Sequence, residues 1–346
     1  MRCSYRLAVW LATGVLFAGV EPVHASPHSP VLPDGFTSHR QPIDGGQIDW
    51  TAGIVIARGI GKAGGTSSKD EALARRGGKV VALRNALLIA AGLPLDGQGR
   101  LQDLDDGVVE VSGTLRGQRV IKEDWHPERR PPECVVEVAV PLWGVEGLAA
   151  KVSGTHRGNV LRIRRARLPL TGDQAANTAG FLVIDARGTG LRPCLFPAIV
   201  DDDQAVLYDC GTVSRRAAGR RPLVRYVETT RTAAELTQAT ASPRLPEATS
   251  SPNGDDRPEG LEALPGPPAD AGRSPDSAPA EQAARLHLRQ ALRAGGPGRT
   301  EIVLTRADAA ELASRPAEAT LLRQGRVLVI VDPDPPTPKQ PEGDPR

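Results

Sequence analysis

Trp50-Thr51-Ala52-Gly53-Ile54-Val55-Ile56-Ala57-Arg58-Gly59-Ile60-Gly61-Lys62, with Ser68-Lys69-Asp70-Glu71-Ala72-Leu73 close behind it, is the stretch on which the fold class turns. The apolar run of Ile54, Val55, Ile56 and Ala57 predicts a strand over residues 50–58, ending at Gly59-Ile60-Gly61. Residues 62–66 read as a turn. Ser68 with Glu71 three positions on has the spacing of a capping box, in which two side chains satisfy the first open N–H groups of a helix. That helix is expected to reach about Ala91, where Gly92 and Pro94 stop it. Leu73, Gly77, Val80, Leu87, Leu88 and Ala91 form its expected buried stripe, with Arg75, Arg76 and Lys79 off it. The Gly77-Gly78 pair costs up to about 2 kcal/mol relative to alanine, and it also permits close approach to a sheet.

Two strands follow without a second helix. Residues 108–120 alternate around Gly113, and residues 134–142 alternate through Val136, Val138 and Val140. The charged, proline-bearing segment between them, residues 122–132, reads as a loop. A helix between one strand and two successive strands gives a β-α-β-β unit, with one long helix lying across an antiparallel sheet. The fold class is therefore α+β, and the first unit is expected over residues 48–150.

Residues 151–177 form a basic connector, and a second strand-rich α+β unit is expected over residues 178–332. Its strands are expected at 181–186, 223–227, 301–304 and 326–331, with a hairpin from 195–200 and 205–208. Residues 232–240 and 306–313 read as helices, and residues 285–289 fit strand or helix equally. Residues 241–280 are rich in Pro, Ser, Gly, Asp and Glu and carry too little apolar surface to order themselves, so they are expected to be a disordered insertion. The proline-rich tail 333–346 is expected to be disordered as well. Residues 26–47, with several prolines and little periodicity, read as an arm that orders only if it docks.

The front of the chain places it. Arg2 and Arg6 flank a short basic start, residues 7–20 are apolar, and Val23-His24-Ala25 supplies the small residues that signal peptidase requires. Residues 1–25 are thus expected to be a signal peptide, cut between Ala25 and Ser26. The apolar run is shorter than the roughly 20 residues that span a bilayer, and no later run is long enough, so no transmembrane span is expected after cleavage. Cys3 precedes the apolar run, so no lipid-acceptor cysteine follows it. The exported chain is expected in the periplasm or associated with the outer membrane.

A net charge of +2 gives no overall field toward nucleic acid, and no nucleic-acid partner is expected. With aromatics at 3%, the core must be built from Val, Leu, Ile and Ala.

The most inviting motif is Gly59-x-Gly61-x-x-Gly64, between a strand and a helix, where a dinucleotide fingerprint sits. Two strands in succession replace the required crossover, and no acidic residue ends a second strand about 20 residues on. Lys62 is followed by Ala63 rather than Ser or Thr, so a phosphate loop fails too, and the glycines read as turn formers. Asp201-Asp202-Asp203 lacks the alternate ligand spacing of a calcium loop and reads as a solvated hairpin tip. Asp185 beside Arg187 and Arg192 reads as an Asp–Arg pair that fixes a turn. No G-x-S-x-G and no Cys/His metal spacing is present, so catalytic residues, cofactor and metal are all expected to be absent. Arg157, Arg162, Arg164, Arg165 and Arg167 of the connector are candidate contacts for phosphate groups or lipopolysaccharide, against the plainer reading of a solvated linker.

Three cysteines follow the cleavage site, and the compartment permits disulfides. With residues 201–203 as a three-residue hairpin loop, Val200 faces Gln204, Ala198 faces Val206, and Phe196 faces Tyr208. The same count sets Cys194 opposite Cys210, at a separation that a disulfide accepts, with Cys134 unpaired.

Ile48-Asp49-Trp50-Thr51, Ile56 to Gly61, Ala72-Leu73-Ala74-Arg75-Arg76 and Arg84-Asn85-Ala86-Leu87, taken in order, resemble the bacterial twenty-kilodalton outer-membrane lipoprotein family. That family's domain is in turn related to the N-terminal domain of flagellar T-ring proteins. Val111-Ser112-Gly113 with Gly117, and Val138-Ala139-Val140-Pro141-Leu142, extend the resemblance over residues 48–150. The second half looks like an accompanying envelope domain through Val183-Ile184-Asp185-Ala186-Arg187-Gly188-Thr189-Gly190-Leu191-Arg192-Pro193 and Arg326 to Asp332. The resemblance implies a non-enzymatic structural or assembly role in the cell envelope, sometimes linked to flagella. Its partners would be envelope proteins or further copies of the chain. The alternatives are a module binding peptidoglycan or lipopolysaccharide, and a hydrolase using Asp185 or the Asp201–Asp203 run.

Overall fold

A computed structural model of the chain describes residues 32–97, 99–103, 118–152, 169–170, 180–213, 219–241 and 286–334. The signal segment with Ala25 and Ser26, the arginines between 157 and 167, the insertion expected at 241–280 and the tail beyond 334 all lie outside the described residues or at their margin.

The first unit is α+β. Strands β2 (Arg40–Ile43), β3 (Gly46–Asp49), β4 (Ile54–Lys62), β5 (Arg119–His126) and β6 (Glu133–Pro141) form one antiparallel sheet in the order β2-β3-β4-β6-β5. Helix α1 (Ser68–Ala91) crosses it, against β4 and β6 above all. Its cap is one residue earlier than expected. The Ser67 hydroxyl accepts from the Asp70 N–H while the Asp70 carboxylate accepts from the Ser67 N–H, so Asp70 takes the role expected of Glu71.

The buried face of α1 lies close to the opposite side from the expected stripe. Ala74, Gly78, Ala82, Ala86, Ile89 and Ala90 are buried, while Leu73, Val80, Val81 and Leu88 are exposed. The cause is the strand beneath. Gly59 and Gly61 lie inside β4 on its buried side rather than in a turn. A Cβ at Gly59 would fall on the backbone of Gly78 and Ala82, and one at Gly61 on the Ala74 carbonyl and the Gly78 N–H. Helix and strand backbones touch there, so only small residues fit the contact, and Leu73, Val80 and Val81 are turned outward. Two of the three glycines that imitate a nucleotide fingerprint, Gly59 and Gly61, are this contact, whereas a Cβ on Gly64 would meet nothing within 4 Å.

Most of the strand expected at 108–120 lies outside the described residues, and β5 runs from Arg119 to His126, through the first part of the charged segment read as a loop. Among the described residues it is the edge strand of its sheet, where solvated side chains are tolerated and apolar alternation is lost.

In the second unit, β1 (Thr37–Ser38), β7 (Phe181–Asp185), β10 (Arg225–Glu228), β11 (Leu286–Gln290) and β14 (Val327–Ile330) form a sheet ordered β1-β10-β14-β7-β11. All neighbours pair in parallel except β1 with β10. A smaller sheet joins β12 (Arg293–Gly295), β13 (Glu301–Val303), β8 (Ile199–Val200) and β9 (Val206–Tyr208). Helices α2 (Ala233–Ala241), α3 (Arg306–Ser314) and α4 (Pro316–Arg323) complete the described elements used below. No helix of the described residues is long and apolar enough to cross a membrane.

The docked part of the arm ties the units together, since β1 extends the second sheet and β2 the first. One core cluster runs through both units, from Trp50, Val136 and Leu148 to Leu182, Tyr208 and Tyr226. Trp50 meets Tyr226 edge to face, with ring centroids 5.9 Å apart. The Leu195 and Phe196 N–H groups donate to the carbonyls of Pro94 and Leu95 at 3.0 and 2.7 Å.

That last pair of bonds also corrects the cysteine pairing. The β8–β9 ladder holds only Ile199 opposite Tyr208 and Val200 opposite Val206, with an irregularity between them. Its loop is five residues long, because the Asp201 carboxylate accepts from the Ala205 N–H at 2.7 Å and Gln204 takes a left-handed φ of 66°. Residues 194–196 leave the ladder for the first unit, so Cys194 does not face Cys210. Cys194 is an unbridged thiol whose Sγ lies 3.7 Å from the Tyr226 hydroxyl.

Candidate functional site

In open parallel sheets the carboxyl ends of the strands are where ligands gather. Here that edge carries Asp185 at the end of β7, Asp332 just past β14 and Glu228 at the end of β10. Asp185 is buried, and Arg187 grips it through Nε to Oδ1 at 2.9 Å and Nη2 to Oδ2 at 2.6 Å. The Asp185 carboxylate raises the guanidinium pKa further. Arg187 Nη1 also donates to the Arg231 carbonyl at 2.7 Å. The Asp332 carboxylate accepts from the Gly188 N–H at 2.9 Å, and the Thr189 hydroxyl donates to the Ala186 carbonyl at 2.6 Å. Gly188 and Gly190 hold left-handed φ values of 73° and 67° that favour glycine, and Arg299 donates to the Thr189 carbonyl at 2.7 Å. The Asp–Arg pair expected from sequence is therefore present, with both carboxylate oxygens engaged. Arg192 contributes through its backbone, its N–H donating to the Arg299 carbonyl at 2.8 Å. The whole segment is a hydrogen-bonded corner that fixes the outlet of β7.

Asp201, Asp202 and Asp203 bring carboxylate oxygens within 4.8 Å of one another. The expected solvated tip holds for two of them. Asp202 and Asp203 are exposed, the latter paired with Arg306, whereas Asp201 is buried and spends its carboxylate on the loop backbone.

Two buried polar clusters had no signal in the sequence, because their members are far apart along the chain. His39, buried in the arm, lies 2.8 Å through Nδ1 from Glu228 Oε1, while its N–H donates to the Thr51 hydroxyl at 2.9 Å. Thr51 in turn donates to the Tyr226 carbonyl, which carries the seam from one sheet to the other. Glu318 of α4 is buried and accepts from Arg289 of β11 at 2.8 and 3.0 Å and from Arg315 at 3.2 Å. Lone charges in such places are costly, and each carboxylate here has a cationic or N–H partner that holds one element to another.

These clusters fix shape. On the outward face of α1, Leu73, Val80, Val81 and Leu88 stand 55%, 66%, 39% and 62% exposed.

A family profile matches the second unit. Its description is Treponema pallidum Tp0624, second domain, and it matches residues 181–255. The matched stretch opens at β7 and takes in the Asp185 corner, the β8–β9 hairpin, β10 and α2. No curated protein matches the chain.

Proposed function

We propose that this chain is an exported cell-envelope protein with a structural or assembly role in the periplasm or at the outer membrane, acting through self-association rather than catalysis. The observation that carries this reading is the outward apolar stripe of α1. Its four members are placed symmetrically about the point midway between Val80 and Val81. In an antiparallel helix pair related by a two-fold axis, Leu73 meets Leu88 of a second copy and Val80 meets its Val81, which is the self-complementary geometry of an isologous interface. Support also comes from the ordered motifs of residues 48–150 that resemble the outer-membrane lipoprotein family, and from the signal-like front of the chain.

Sedimentation equilibrium of the chain lacking residues 1–25 tests self-association. A dimer at micromolar concentration that becomes a monomer in the Val80→Asp/Val81→Asp variant, with the circular dichroism melt unchanged, is the expected result. A wild-type chain that stays monomeric overturns the self-association. Fractionation of the source cells tests the location, and recovery in the cytoplasm with Met1 retained overturns the envelope role.

A further inference from the structure

We propose that a cavity at the amino-terminal edge of the parallel sheet binds a small oxyanion, carboxylate or phosphate, joined to an apolar body. The cavity has a volume of about 330 Å³ and is lined by Leu32, Phe181, Arg221, Pro222, Arg225, Gln324, Gly325 and Arg326. Phe181 opens β7, Arg225 opens β10 and Arg326 directly precedes β14, three neighbouring strands of the sheet, so their side chains converge because their strands start together.

The chemistry of the lining is lopsided. Three arginines line it, and none of the described lining residues is acidic. Arg221 is occupied as a brace, its Nη1 and Nη2 donating to the Gln324 and Arg323 carbonyls at the end of α4. Arg326 lies over the Phe181 ring, 5.6 Å from its centroid. Arg225 is different. It is half-buried, and no hydrogen bond or ion pair reaches its guanidinium from the described residues. Burial pulls its pKa below the ordinary arginine value, with no carboxylate among the described residues pushing back. A desolvated guanidinium that no described carboxylate neutralises is a cost to the fold that an incoming oxyanion removes, and its planar fork matches a carboxylate or phosphate in two parallel bonds. Leu32, Phe181 and Pro222 form the apolar wall that selects an anion with a body attached over a bare ion. A volume of this order suits one small molecule.

Calorimetric titration of the full chain with phenyl phosphate, benzoate, inorganic phosphate and benzyl alcohol tests the site. Phenyl phosphate and benzoate are expected to bind at least about tenfold more tightly than inorganic phosphate, with no binding of benzyl alcohol. Arg225→Leu is expected to weaken both by at least about tenfold while leaving the melting temperature equal or higher, since it deletes an unpaired charge. Arg225→Lys, which keeps the charge without the fork, should fall between, and it decides the matter if the leucine variant does not fold. Phe181→Ala should erase the preference for phenyl phosphate over inorganic phosphate. Binding of benzyl alcohol as tight as that of benzoate, no binding of either aromatic anion at millimolar concentration, or affinities unchanged in both Arg225 variants overturns the assignment. Comparing phenyl phosphate with benzoate then tells a phosphoryl ligand from a carboxylate.

Discussion

Arg187 and Asp185 are joined by two parallel hydrogen bonds across only two residues of sequence, at the point where β7 leaves the sheet. The pair is asymmetric, because the carboxylate is far more buried than the guanidinium, at 4% and 27% side-chain exposure. Arg187→Leu therefore strands a buried anion, and a loss of about 3 kcal/mol is expected in urea unfolding. Removing both charges, in Asp185→Leu/Arg187→Leu, should cost less than the two single changes added together. Strict additivity in that cycle would show that the two groups do not act as a unit.

The strands and helix of the first unit were legible because β4, α1 and β6 carry dense local signals: an apolar run, a capping pattern and a clean alternation. The face of α1 was not, because a periodicity rule assigns the largest residues to the core. Here Gly59 and Gly61 bring two backbones into contact and reserve the core side for Ala74, Gly78 and Ala82. The only sequence signal was the conjunction of two spaced glycines in a strand with Gly78 in the next helix. α4 was missed for a different reason. Arg315-Pro316 looks like a break, yet proline suits the first position of a helix, and Pro316 begins one. In the second unit, parallel pairing such as β7 with β11 joins segments separated by a long stretch of chain, and no local pattern announces the partner.

A second prediction concerns the thiols. Burial pushes the Cys194 thiol up to about 12, with the Tyr226 hydroxyl against it also raised well above the ordinary tyrosine value by burial. Burial raises the Cys134 thiol too. Native protein at pH 8 should therefore leave Cys194 and Cys134 unlabelled by a thiol reagent, and both should react once urea is added. A non-reducing peptide map that links Cys194 to Cys210 would overturn the corrected register.

The same shift sets an alkaline limit. The neutral thiol is the form the fold favours, so its folded pKa exceeds the unfolded value of 9.0 and reaches about 12. Below pH 9 this group makes no demand on stability. Between the two values the unfolded chain gives up a proton that the native chain keeps, so stability falls with rising pH by up to about 1.4 kcal/mol per unit. Cys194→Ala should flatten the decline in unfolding free energy above pH 9 by close to one proton. An unaltered slope would mean that the thiol is solvated in the native state.

The glycines of α1 and β4 give the sharpest test of the helix contact, since adjacent positions are expected to respond with opposite sign. A Cβ on Gly77 meets only the Gly61 Cα at 3.6 Å, an ordinary contact. Gly77→Ala should thus stabilise the protein by about 0.5–1 kcal/mol through helix propensity alone. A Cβ on Gly78 lies 2.9 Å from Val136 Cγ2 and 3.0 Å from the Cys134 carbonyl oxygen, and the carbonyl belongs to a paired strand that cannot yield easily. Gly78→Ala should cost about 1–3 kcal/mol, as overpacking does. Gly61→Ala, whose Cβ would fall on the Ala74 carbonyl and the Gly78 N–H, should cost at least as much. Urea midpoints for the three variants decide it. If Gly77→Ala destabilises while Gly78→Ala does not, the helix presents the face first expected from its periodicity, and Leu73, Val80 and Leu88 belong to the core rather than to the surface.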